Sequence, residues 1–106
     1  MSGAGKPEPA SALPAHVRPY HRTPEFTEAS VPAGLLKSHA TKAGTWGLVH
    51  VLAGELVLRF TDERRREAEL RLRPGDSSGV IEPTISHEVR PLGPVRFFVE
   101  FHRVPA

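Results

Sequence analysis

The stretch PGDSSGVIEPTISHEV, residues 74–89, carries most of the information about the fold. Its opening triplet Pro74-Gly75-Asp76 is typical of a turn, because proline fixes φ and glycine tolerates positive φ. A short β-branched run, a second proline and His87 follow. This order predicts a short strand, a break and a new strand beginning near His87, as in a small antiparallel β domain.

Proline and glycine also recur at short intervals through the rest of the chain. Eleven prolines and nine glycines among 106 residues leave little room for long helices. Short runs of alternating apolar residues lie between them, most clearly in residues 55–61. The pattern predicts an all-β fold, either a sandwich or a barrel. Hairpin turns are predicted at residues 53–55 and at residues 62–66.

Length and composition bound the domain organisation. A chain of 106 residues predicts one domain. Residues 1–22 are rich in Pro, Ala, Gly and Ser and have little apolar periodicity, so we expect a flexible N-terminal arm followed by one folded domain over residues 23–106. The absence of cysteine excludes disulfides and thiolate nucleophiles.

Hydropathy and charge indicate the expected compartment and the expected classes of binding partner. No apolar run reaches membrane-spanning length, and the N-terminus lacks the apolar core of a signal peptide. A cytoplasmic protein without a membrane partner is therefore expected. The net charge is only +2, and arginines alternate with glutamates over residues 63–73. Interleaved charges produce a weak field, so no nucleic-acid partner is expected.

Strand alternation sorts side chains between the two faces of the predicted sheet. Val49 and Val51 share one face, which places His50 on the other. On the strand after Pro83, an inward His87 brings Val89 inward as well. The last strand alternates in the same way and has one set of residues on each face: Val95, Phe97, Val99 and Phe101 against Arg96, Phe98, Glu100 and His102.

Three residues of the predicted interior have the chemistry of metal ligands. First-row divalent metals bind imidazole nitrogen and carboxylate oxygen, and two histidines with one carboxylate recur in zinc and non-haem iron sites. His39 and His87 supply the imidazoles. Glu82 precedes a proline at a strand end, which would hold its carboxylate rigidly. The sequence predicts a metal site formed by His39, Glu82 and His87.

The glycine-broken segment after His39 is a candidate ligand-binding loop. It contains Thr41, Lys42, Thr45 and Trp46 directly before a predicted strand. Loops at the mouth of a barrel often carry function. Lys42 could bind an anion, and Thr41 and Thr45 offer hydroxyl groups. Trp46 either caps a cavity or packs on the core.

Several of these motifs resemble a known family. Gly54-Glu55-Leu56, Pro74-Gly75-Asp76 and His87 resemble motifs of the cupin superfamily. The run TKAGTWG, residues 41–47, is more similar to a small cupin-like group, the TehB-like or tellurite-resistance-related domain. The resemblance covers residues 23–103.

This resemblance implies a fold, a cofactor and an assembly. The expected fold is a double-stranded β-helix, or jelly-roll barrel, which is often dimeric and holds a divalent metal in its lumen. His39 and His87 match the two histidine motifs of cupins. Thr41 stands where a second histidine is usual and Gly47 stands near the usual glutamate, which leaves Glu82 as the replacement carboxylate.

Two functional interpretations remain open at this stage. The first is a metal-binding domain that holds zinc, or iron or nickel, with water or a small anionic ligand completing the coordination shell. The second is a metal-free small-ligand sensor or accessory interaction module, in which His87 hydrogen-bonds the ligand. Catalytic residues are not assigned. A homodimer is expected in either case, because Phe98 and Phe101 occupy opposite faces and only one face can fill a single interior.

Overall fold

The computed structural model describes residues 13–65 and 68–106, which form six strands and one short helix. In chain order the elements are β1 (Arg18–Arg22), β2 (Phe26–Thr27), a 3₁₀ helix (Ala33–Leu36), β3 (Trp46–Phe60), β4 (Glu69–Leu72), β5 (Val80–Ile81) and β6 (His87–Arg103). The predicted all-β class is therefore confirmed.

Two long strands, β3 and β6, form the centre of the fold. They pair antiparallel from Trp46 opposite His102 to Phe60 opposite His87. The register shifts on both sides of Gly54, where the strands bulge. The hairpin turn predicted at residues 53–55 is wrong, because Gly54 uses its positive φ of 79° to form a bulge inside a continuous strand.

The short strands attach to this pair and leave the sheet open. The order of the main path is β1-β6-β3-β4, with β2 paired to β6 and β5 paired to β3. Among residues 13–65 and 68–106, no pairing joins β1 to β4. The predicted closed jelly-roll barrel is therefore corrected to an open antiparallel sheet, in which two bent strands of fifteen and seventeen residues replace several shorter ones.

The second predicted hairpin and the predicted inner face both agree with the structure. The turn at residues 62–66, of which residue 66 lies outside the described part, joins β3 to β4 with Leu58 opposite Leu70. The core is formed by the predicted inward residues of β3 and β6 together with neighbours from β4 and β5, including Val49, Val51, Leu72, Ile81, Val89, Val95, Phe97 and Val99.

The outer face of β3 and β6 carries a polar cluster. His102 Nε2 lies 2.9 Å from Glu100 Oε1, and His50 Nε2 lies 3.4 Å from the same oxygen. Burial raises the pKa of Glu100, but the hydrogen bonds from the two histidines outweigh it and the net pKa is lowered. Glu100 is thus on the face opposite the core.

Phe98 does not form the exposed aromatic stripe from which a dimer interface was predicted. Phe98 is only 7% exposed. The His50 ring stacks on it with centroids 4.6 Å apart, and the Arg22 guanidinium lies 4.0 Å from the ring centroid. Stacking and cation–π contacts within the chain therefore cover this side chain, and the homodimer stays a prediction without that support.

Part of the predicted N-terminal arm is in the sheet. Residues 18–22 form β1 and pair with the end of β6, from Arg18 opposite Arg103 to Arg22 opposite Glu100. Residues 1–12 of the predicted arm lie outside the described residues. In the part of the chain that is described, no helix has the length and apolar character needed to cross a membrane.

Candidate functional site

Two distant histidines meet where the loop before β3 runs beside the start of β6. The main chains of His39 and His87 exchange two hydrogen bonds, with N···O distances of 2.9 and 2.8 Å. Residues paired in this way on antiparallel chains point their side chains to the same face. The two imidazole centroids are accordingly 4.2 Å apart.

The neighbouring loops hold this pair in place. The Thr84 amide donates to the Thr41 carbonyl at 3.1 Å, which ties the turn before β6 to the loop that follows His39. Thr84 itself has a positive φ of 66°, unusual for a β-branched residue. Arg64 secures it by donating to the Thr84 carbonyl at 2.9 Å. The strained turn therefore fixes where β6 begins.

Main-chain carbonyls fix the tautomer of both rings. His39 Nδ1 lies 2.9 Å from the Lys37 carbonyl oxygen, and His87 Nδ1 lies 2.9 Å from the Ile85 carbonyl oxygen. A carbonyl oxygen can only accept, so each Nδ1 carries the hydrogen. In a neutral ring of this tautomer, Nε2 has a free lone pair. Neither Nε2 hydrogen-bonds a described residue.

His87 is neutral at physiological pH. Its residue is 3% exposed, and burial lowers the pKa of the imidazole to about 4, with a smaller contribution from the neighbouring His39. The hydrogen bond to the Ile85 carbonyl acts in the opposite direction and is outweighed. His87 Nε2 is thus an acceptor that protein groups leave unused. Every fully buried side-chain nitrogen or oxygen in the described residues has a partner, so this atom must be reached from the adjoining cavity.

Both rings border a cavity of about 340 Å³ on the face of the sheet that carries the core. Its wall is formed mainly by apolar side chains of the 3₁₀ helix and of β3, β5 and β6: Leu35, Val49, Ile81, Val89, Val99 and Phe101. Exposed Tyr20, His21 and Lys42 border it as well, so this end reaches solvent. The cavity combines an apolar body with few polar groups, which is typical of a small-molecule site.

The predicted loop residues lie at this open end. Thr41, Lys42 and Thr45 all border the cavity. The Thr41 hydroxyl donates to the Glu82 carbonyl at 3.4 Å, a long contact. The side chains of Lys42 and Thr45 have no hydrogen bond to a described residue. Trp46 is the first residue of β3 and pairs with His102.

A family model supports the TehB-like part of the resemblance read from the sequence. The model of the TehB-like domain matches residues 21–99. The chain belongs to the TehB-like family. No curated protein matches this TehB-like domain.

Two solved structures are similar to this TehB-like domain. TehB from Haemophilus influenzae is 27% identical and superposes with a TM-score of 0.76, covering 85% of this chain and 32% of the TehB chain. The domain thus spans about a third of that relative. A protein from Escherichia coli strain K12 shares the fold, with a TM-score of 0.78 at 20% identity and coverage of 90% of this chain and 98% of that one.

Glu82 does not join the histidines of the TehB-like domain. Its carboxylate accepts a hydrogen bond from Arg65, which is 8% exposed and also stacks over the Phe60 ring. Glu82 is not among the residues that border the cavity. Within residues 13–65 and 68–106, no three His, Cys, Asp or Glu side chains form a group that could hold a metal ion. The predicted ligand set of His39, Glu82 and His87 is therefore not assembled, because a buried arginine occupies the carboxylate.

Sequence reasoning missed the contribution of β1 to the site. Tyr20 and His21 were assigned to a flexible arm, yet both border the cavity. The His21 ring stacks on Phe101 with centroids 6.1 Å apart. All five residues of β1 are exposed and one is proline, so neither alternation nor hydrophobicity marks the strand. The aromatic Tyr20 within this short run was the available signal.

Proposed function

We propose that this TehB-like domain binds a small organic molecule in the cavity, and that His39 and His87 accept hydrogen bonds from it through Nε2. The proposal rests on one observation: an apolar cavity of about 340 Å³ is bordered by two imidazoles whose Nδ1 atoms are tied to carbonyls. Such a site offers hydrogen-bond acceptors to a ligand that carries an O–H or N–H group.

The size of the cavity favours binding over imperfect packing. Protein interiors are packed nearly as densely as organic crystals, and voids much larger than a water molecule are few. Small-molecule sites begin at roughly 300 Å³. An apolar space of this volume beside the core of a 106-residue chain costs stability through lost contacts. A ligand that fills it would restore those contacts.

The experiment compares two probes of nearly the same shape. We expect 4-ethylphenol to bind, because its ring fills apolar space and its hydroxyl donates to Nε2, whereas ethylbenzene should bind more weakly. Methyl NMR resonances of Val89 and Val99, which border the cavity, should shift on titration. Methyls of Leu48 and Leu52, which point to the other face of β3, are the internal control.

Discrimination between the probes decides the proposal. A polar site rejects an analogue that leaves its buried acceptor unpaired, at a cost of about 1–3 kcal/mol, which is roughly 5- to 150-fold in affinity. Equal affinity for 4-ethylphenol and ethylbenzene would show that the two histidines do not hydrogen-bond the ligand. Shifts confined to Leu48 and Leu52 would place binding elsewhere and overturn the proposal.

Zinc binding by the histidine pair is the second candidate, and iron or nickel would use the same atoms. One observation favours it: metal-binding histidines commonly donate the other ring N–H to a carbonyl, as both rings do here. The fit is partial, because His39 and His87 offer two ligands and Glu82 offers none. A bound ion would act as a Lewis acid toward a ligand in the cavity.

Elemental analysis and zinc titration separate the two candidates. For the zinc site we expect close to one equivalent of metal in the parent protein, with at least about a tenfold loss of affinity in His39→Ala and in His87→Ala, since each removes one of two protein ligands. His50→Ala, on the outer face, is the matched control. A parent protein without stoichiometric zinc, or equal losses in all three variants, contradicts this candidate.

A further inference from the structure

A second, more open concavity of about 410 Å³, here called the mouth groove, lies beside the open end of the cavity. Tyr20, Lys42 and Thr45 border both spaces. The mouth groove is completed by Ala43 and Gly44, which lie between Lys42 and Thr45, and by Arg103 and Val104. Lys42 therefore borders both spaces, and Arg103 borders the mouth groove alone.

The mouth groove carries positive charge, and no acidic residue in the described part of the chain neutralises it. Lys42 is exposed and has no ion pair with a described residue. The Arg103 guanidinium lies 3.9 Å from the centroid of the Tyr20 ring, a contact that orients it and leaves its charge in place. Among the described residues, no Asp or Glu borders the cavity or the mouth groove.

The end of the cavity beside His39 and His87, here called the inner end, disfavours an anionic group. The tautomer of both histidines leaves Nε2 as an acceptor, and a carboxylate only accepts, so the two would repel. Burying an unpaired carboxylate against the apolar wall would also cost several kcal/mol. An anionic group is thus excluded from the inner end and attracted to the mouth groove.

We propose that the ligand is an amphipathic organic anion whose two ends are both recognised. A hydroxyl or amine hydrogen at the inner end donates to His39 and His87, an apolar body fills the cavity, and a carboxylate lies at Lys42 and Arg103. This inference rests on the proposed function and adds the ligand's charge and its orientation.

A set of matched probes tests the inference. The acid is 3-(4-hydroxyphenyl)propionate, 4-ethylphenol lacks its carboxylate, 3-phenylpropionate lacks its hydroxyl, and tyramine carries an ammonium in place of the anion. We expect the acid to bind about three- to fivefold tighter than 4-ethylphenol, because an exposed ion pair contributes up to about 1 kcal/mol. 3-Phenylpropionate should bind more weakly than the acid, and tyramine should bind more weakly than 4-ethylphenol. The preference for the acid should diminish at high salt.

Charge-removing variants locate the head group. Lys42→Met and Arg103→Met should each reduce the affinity for the acid about two- to fivefold, and should reduce the preference for the acid over 4-ethylphenol measured in the same variant. Arg90→Met removes the same charge from an exposed position on β6 that borders neither space, and should have no effect.

The outcomes separate this inference from the proposed function. If 4-ethylphenol binds but the acid binds no tighter, or if tyramine binds equally well, the inference fails and the proposed function stands. An equal loss in Arg90→Met would assign the preference to net charge and also overturn the inference. If no probe shifts the cavity methyls, both proposals fail.

Discussion

His39 and His87 stand opposite each other on antiparallel chains, with their imidazole centroids 4.2 Å apart and their main chains joined by two hydrogen bonds. The backbone therefore sets the ring positions. Each Nδ1 is already bonded to a carbonyl two residues earlier in the chain. Replacing one ring should leave the pairing of the chains intact, which makes these side chains accessible to mutation.

The burial of His87 should make stability depend on pH. Burial lowers the pKa of His87 in the folded protein to about 4, from an ordinary value of 6.5, so between these two pH values the unfolded chain binds more protons. Stability from this group is complete above about pH 6.5 and decreases as the pH falls toward 4, by up to roughly 3 kcal/mol. Urea denaturation of the parent and His87→Gln across pH 4–7 measures this contribution.

The control for the pH experiment is His16→Gln, which alters an exposed side chain near the N-terminal edge of the described chain. Between pH 4.5 and 6, the slope of unfolding free energy against pH should be shallower in His87→Gln than in the parent by up to about 1.4 kcal/mol per pH unit. Parallel curves for the parent and His87→Gln would mean that His87 protonates freely in the folded protein.

Glu82→Gln should reduce stability without changing affinity for zinc. The substitution removes the ion pair between Glu82 and the buried Arg65 guanidinium, and Glu82 is partly exposed, so we expect a loss of about 1–3 kcal/mol in unfolding free energy. Glu88→Gln, on the outer face of β6, is the matched control. Denaturation and zinc titration of both variants give the two readouts. A selective loss of zinc binding in Glu82→Gln would restore the glutamate as a ligand.

Gly54→Ala should be among the most destabilising glycine substitutions in the described chain. The residue has a φ of 79°, and an added Cβ would clash with the Pro94 carbonyl oxygen. Strain and backbone displacement together should cost more than about 2 kcal/mol. Gly34→Ala places its Cβ in open space, and should change stability by less than about 0.5 kcal/mol. Similar losses in the two variants would contradict the bulge.

Removing the cover of Phe98 should destabilise the outer face. Arg22→Met deletes the guanidinium 4.0 Å from the ring centroid, at an expected cost of about 0.5–1 kcal/mol in unfolding free energy. Arg96→Met, on an exposed side chain that pairs with Glu25, is the comparison. If Arg22→Met instead promoted self-association in sedimentation without loss of stability, Phe98 would be a latent interface.

Alternation in the sequence was sufficient to predict which neighbouring side chains share a face of the sheet. Val49, Val51 and Val99 lie in the core, and His50 lies outside, because strand periodicity depends only on local backbone geometry. The positions of glycine and proline in the sequence did not indicate how long each strand is. A glycine with positive φ serves a turn and a bulge equally well, and only pairing with β6 makes Gly54 a bulge.

The sequence predicted only part of the site. The convergence of His39 and His87 follows from motif positions, whereas the partner of Glu82 depends on a tertiary contact with Arg65 that no spacing rule encodes. The cavity itself could not be predicted, because it is the space left between apolar side chains that the sequence merely marks as interior. The contribution of β1 was hidden by its fully exposed residues.

The most direct test of the central claim is long-range ¹H–¹⁵N NMR of the imidazole nitrogens at neutral pH, recorded with and without 4-ethylphenol. We expect His39 and His87 to show a protonated Nδ1 and an unprotonated Nε2, and both Nε2 resonances to move on titration, while those of His50 remain unchanged. Protons found on Nε2, or Nε2 resonances that do not shift when a probe binds in the cavity, would contradict the account.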